Sequence, residues 1–82
     1  MTDPKYMRPG LDHALGKMTE ECGEVLQAIG KTTRWGLDSY DPTLNTPVHE
    51  RETNAEWIAR ELEDLVDAAL NLRTELKNYL GD

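Results

Sequence analysis

The chain has 82 residues, 30% of them charged, and a formal net charge of −7. That length supports one small domain with a limited core, and the acidic balance argues against a nucleic-acid partner, which would need a basic footprint. No apolar run reaches membrane-spanning length and the polar start Met1-Thr2-Asp3-Pro4-Lys5 does not read as a signal peptide, so no membrane partner and a cytoplasmic location are expected.

Residues 1–10 carry Pro4, Pro9 and Gly10 without periodicity and read as a lead-in. From Leu11 the apolar positions Leu11, Ala14, Leu15, Met18, Cys22, Val25, Leu26 and Ile29 recur at helical spacing, and Gly30 is a natural stop, which predicts a first helix over 11–30. The lone Cys22 falls on that stripe and is expected to be a buried small hydrophobe. Gly16, Gly23 and Gly30 form a smooth strip opposite it, suited to close approach by another helix. Residues 31–52, with Gly36, Pro42 and Pro47 and the aromatics Trp35 and Tyr40, read as a long loop, in which Thr46-Pro47 fits a short turn. A second helix is predicted over 53–80, opened by a capping box of Thr53 and Glu56 and closed by Gly81. Its stripe runs through Ile58, Leu62, Leu65, Val66, Ala69, Leu72, Leu76 and Leu80.

The fold class expected is all-α: an antiparallel helical hairpin that completes a four-helix bundle by oligomerisation. Leu26, Val66 and Leu70 spread beyond a two-helix seam, so one hairpin cannot cover its own apolar surface. A homodimer or homotetramer follows.

Two acidic motifs carry the chemistry. Glu21 and Glu24 lie one turn apart on the flank of the first stripe, and Glu61 and Asp64 repeat the arrangement on the second. Both pairs fall on the same rotational side of their helices, so an antiparallel hairpin brings them to one face. Their heights agree as well, at roughly 9–14 Å and 12–17 Å from the loop-side helix ends. Four carboxylates at an apolar edge repel one another unless a cation compensates, and hard cations such as Mg²⁺ take oxygen ligands. The competing reading is a solvated acidic face, the reading given to Glu63 and Glu75; Trp57, one turn before Glu61, is expected to pack. His13 and His49 have no ligand partners at useful spacing.

With Glu20, Glu21 and Glu24 on one helix and Glu61 and Asp64 on the next, the chain resembles the all-α nucleoside triphosphate pyrophosphohydrolases of the MazG-like group. Lys31-Thr32-Thr33-Arg34-Trp35-Gly36 and Asn54 are similar to the subset common in phages and prophages, and the resemblance spans about residues 11–80. It implies hydrolysis of a nucleoside triphosphate to a monophosphate and pyrophosphate, with Mg²⁺ as cofactor and Mn²⁺ as a substitute. By position it makes Glu21, Glu24, Glu61 and Asp64 metal ligands, with Glu20 either supporting those ligands from behind or helping to orient the attacking water. Lys31 and Arg34 would complement phosphate charge. Lys17 either reaches a phosphate or pairs with Glu21. Asp67 either joins the acidic site or stays solvated, Asn71 is a candidate contact to sugar or phosphate, and Trp35 or Tyr40 to a base. Family members commonly have more helices than this chain offers, so other subunits would supply the missing layers. The alternatives are a non-catalytic helical interaction module and a regulatory domain that binds nucleotide without turnover.

Overall fold

The computed structural model describes residues 8–40 and 51–81; the turn expected at Thr46-Pro47, and His49, lie outside them. The described residues form two α-helices and no strand: α1, Pro9–Trp35, and α2, Asn54–Leu80. Proline opens α1 at little cost, because an N–H at the first helical position would have no intrahelical partner. The helix therefore starts before Leu11. The Arg8 N–H donates to Asp12 Oδ2 at 3.0 Å.

α1 also runs past Gly30, which the sequence pattern marks as its end. A glycine inside a helix costs only about 1 kcal/mol relative to alanine, and the residues beyond it suit a helix. Thr32 and Thr33 donate their hydroxyls to Ala28 O (2.9 Å) and Ile29 O (3.0 Å). The actual stop is Gly36, where φ reaches +89° and the N–H donates to Thr32 O at 2.7 Å. Lys31, Arg34 and Trp35 therefore stand on the last turns of α1 and not in a loop.

α2 begins at the expected capping box. Thr53 Oγ1 accepts from the Glu56 N–H at 3.2 Å, and Glu56 Oε1 accepts from the Thr53 N–H at 3.0 Å. The Thr53 N–H holds the Glu56 carboxyl below the ordinary carboxylate range. Gly81, left-handed at φ +81°, ends the helix.

The helices run antiparallel. At the loop end, the Asn54 and Ala55 N–H groups donate to Ser39 O (2.8 Å) and Leu37 O (2.9 Å). At the other end, Gly10 lies so close to Glu75 that a Cβ there would sit 2.9 Å from Glu75 Oε2. Glu75 is thus half-buried between the helices, not solvated as expected.

The helices do not meet stripe to stripe. The buried seam comprises Ala14, Glu21, Val25 and Ala28 of α1 with Asn54, Glu61 and Ala68 of α2. At 100° per residue each seam is rotated by roughly 70° from the centre of its apolar stripe, toward the carboxylates. Alanines at the contact permit a close approach there, since interaxial distance follows side-chain size. The rotation turns Leu15, Leu26, Ile29, Leu62, Val66 and Leu70 outward. Cys22, expected in the core, goes with them and is exposed.

Candidate metal centre

The same rotation carries Glu21 and Glu61 from the flank of the hairpin into its seam. Their relative exposures are 3% and 4%, the values of core residues. Burying a carboxylate is costly unless it is compensated. Each has partial compensation from its own helix. Lys17 Nζ lies 3.0 Å from Glu21 Oε1 and 3.8 Å from Glu20 Oε2, and the hydrogen bond to Glu21 raises the Lys17 pKa. On α2, Glu61 Oε1 accepts from Trp57 Nε1 at 3.2 Å and from Arg60 Nη1 at 3.0 Å.

The second oxygen of each carboxylate is different. Glu21 Oε2 and Glu61 Oε2 are fully buried with no hydrogen-bond partner among the described residues. Carboxylate oxygens of Glu21, Glu61 and Asp64 all lie within 4.8 Å of one another, as do those of Glu20, Glu21 and Glu24. An octahedral Mg²⁺ with ligands at about 2.1 Å sets its oxygens about 3 Å apart when adjacent and about 4.2 Å when opposite. The donor set and its spacing fit such an ion after small side-chain adjustments, and Glu21 belongs to both clusters.

Glu24 shares the second cluster with Glu20 and Glu21, at the rim of this acidic cage. The adjoining Glu61 carboxylate, partial burial and the neighbouring Glu21 charge push its carboxyl up to about 7. It keeps a proton where an isolated glutamate would have lost it, as expected of acids crowded without a cation.

A cleft of about 370 Å³ opens beside the cage, lined by Lys17, Glu21, Asp64, Asp67, Ala68 and Asn71. It brings Asp67 and Asn71 to the acidic site together with Lys17. Lys31 and Arg34 line a separate depression with Gln27 and Gly30. Their cations lie 4.9 Å and 5.4 Å from the centre of the Trp35 ring. Lys31 is two turns beyond Glu24 on the same flank, roughly 10 Å along the axis.

Asn54 stands apart from the cage. It is 1% exposed, and its Nδ2 donates to Gly36 O at 2.8 Å, tying the start of α2 to the end of α1. Trp57, expected only to pack, and Arg60 emerge as direct partners of Glu61. The i−4 spacing of Trp57 from Glu61 is visible in the sequence; the link from Arg60 back to Glu52, before the helix begins, is not.

Comparison of the chain with protein-family models, with curated proteins and with solved structures finds no match.

Proposed function

We propose that this protein is a Mg²⁺-dependent nucleoside triphosphate pyrophosphohydrolase, converting a nucleoside triphosphate and water to a nucleoside monophosphate and pyrophosphate. The observation that carries this reading is the pair Glu21 and Glu61, buried in one helix seam, each with one oxygen that has no hydrogen-bond partner among the described residues. Such a pair is destabilising for a hairpin alone and useful to one that holds a cation. The resemblance of the two acidic motifs to the MazG-like group supplies the reaction.

Glu21, Glu61 and Asp64 would hold the ion, with Glu24 joining once it loses its proton. The ion supplies neutralisation of phosphate charge and a more acidic bound water. Glu20, exposed beside Glu21, would support that ligand or help to orient the attacking water. Lys17 is paired with Glu21 Oε1 at 3.0 Å and, lining the same cleft, would turn its remaining N–H donors to a phosphate. Asn71, in the same cleft, offers an amide to the sugar or phosphate. Lys31 and Arg34, farther along α1, complement phosphate charge at the triphosphate's far end. Asn54 serves this reading more weakly, since its amide is engaged in tying α2 to Gly36, and Trp35 is covered by the Lys31 and Arg34 cations of its own helix.

The exposed apolar row has its own implication. A second copy packed against it would complete a four-helix bundle, giving a homodimer or homotetramer. The same row favours a second reading, a helical interaction or regulatory module without turnover. One experiment separates the two. A panel of ribo-, deoxy- and modified nucleoside triphosphates is assayed for pyrophosphate with and without Mg²⁺. The enzyme releases pyrophosphate and monophosphate in equal amounts, and Glu21→Gln and Glu61→Gln lose that turnover by at least about a hundredfold while staying helical. Release of orthophosphate alone, or near wild-type rates in both variants, would reject the proposal.

A further inference from the structure

We infer that Trp57 and Arg60 are positioning residues that hold Glu61 Oε1 so that Oε2 alone is presented to the cation; this rests on the metal-centre reading above. Both donors converge on one oxygen, Trp57 Nε1 at 3.2 Å and Arg60 Nη1 at 3.0 Å. The other oxygen is buried and receives no donor from the described residues. A carboxylate with both oxygens free can swing between one-oxygen and two-oxygen coordination. With Oε1 claimed, Glu61 is restricted to the one-oxygen mode that a small octahedral ion requires.

The donors also preserve the charge the ion needs. The Trp57 indole N–H is neutral, so it orients Glu61 without cancelling its charge. Arg60 is a full cation, but Glu52 engages most of it: Nη2 lies 2.6 Å from Glu52 Oε1 and Nε 3.2 Å from Glu52 Oε2. That two-point fork fixes the guanidinium plane and leaves Nη1 for Glu61. Glu52 precedes α2, so the segment entering the helix braces a ligand carried two turns along it. Lys17 treats Glu21 in the same manner across the seam, at 3.0 Å on Oε1. In each helix one oxygen of the buried glutamate is held by donors from its own helix, and the other is left for the ion.

Partners that orient metal ligands change affinity by about 10–100-fold when removed. The test compares wild-type protein with Trp57→Phe, which keeps a ring and loses the N–H, and Arg60→Gln. Free Mn²⁺ is followed by electron paramagnetic resonance during titration, and helicity by circular dichroism. Each variant is expected to bind Mn²⁺ about tenfold more weakly with its helicity retained. In ¹⁵N-labelled wild-type protein titrated with Mg²⁺, the Trp57 indole N–H resonance should move with occupancy while that of Trp35 stays in place. A purely packing role would leave both Mn²⁺ affinity and the indole resonance unchanged. Wild-type binding with equal affinity in both variants, or a stationary Trp57 resonance at saturation, would overturn the positioning role and leave the metal centre standing. Absence of Mn²⁺ binding by wild-type protein would overturn both. If Trp57→Phe fails to fold, Arg60→Gln and the wild-type resonance decide the matter.

Discussion

Glu24 holds its proton because its neighbours are acids. The adjoining Glu61 carboxylate, with the Glu21 charge nearby, lifts the carboxyl from 4.5 to about 7. A folded-state pKa above the unfolded one stabilises the fold while the proton is bound, fully below about pH 4.5, and that contribution disappears as pH rises through about 7. Metal-free protein should therefore melt at a lower temperature at about pH 8 than at about pH 5, with Glu24→Gln flattening the difference in a circular dichroism melt. A cation must displace the same proton to recruit Glu24. Mg²⁺ affinity measured by calorimetry should accordingly weaken as pH falls below about 7, with proton release that depends on pH. An affinity independent of pH across that range would place Glu24 outside the site.

Within α1, the glycine strip lies on the side away from α2. Gly16, Gly23 and Gly30 are exposed, and a Cβ built at any of them meets nothing within 4 Å among the described residues. Within one hairpin the strip is thus no place of close approach, and each glycine carries only its entropic cost to the helix. Gly16→Ala and Gly23→Ala should each stabilise the protein by about 0.5–1 kcal/mol in chemical denaturation. Destabilisation would instead mark a helix of another copy lying against the strip. The same weak penalty explains why Gly30 does not end α1, whereas Gly36, whose backbone is left-handed, does.

At the scale of the molecule, the hairpin is long and thin. Its dimensions are 48 × 26 × 21 Å, and its radius of gyration is 16.7 Å, against about 12 Å for a compact domain of this length. The seam buries small residues and two glutamates, while Leu26 is 69% exposed and Val66 and Leu70 are 55% and 54% exposed. Large exposed apolar side chains on both helices suit association, since each square ångström of apolar surface covered returns roughly 25 cal/mol. A second copy is the simplest cover, so a species of at least two chains is expected by light scattering at micromolar concentration. Leu26→Glu with Val66→Glu should dissociate it and lower its melting temperature. A wild-type protein that is folded and active as a single chain would refute the assembly.

The sequence by itself determined much of this protein. Apolar spacing at the helical period marks both helices, Thr53 with Glu56 marks where α2 begins, and Gly81 marks where it ends. The one-turn spacing within Glu21/Glu24 and Glu61/Asp64 marks the acidic pairs, because local hydrogen bonding and helix geometry depend only on near neighbours. Only the tertiary structure decided the rotation of each helix about its own axis. A stripe broader than a seam leaves several faces open to a partner, and the close approach at Ala14, Ala28 and Ala68 selects the acidic side. That choice buries Glu21 and Glu61, exposes Cys22 and Leu26, and brings Glu75 against Gly10. Likewise, the tie between the helix ends depends on Asn54 reaching Gly36 across the hairpin, and the hold on Glu61 depends on Arg60 turning back to Glu52. These contacts join residues far apart in the chain or separated by a helix boundary, where periodicity carries no information.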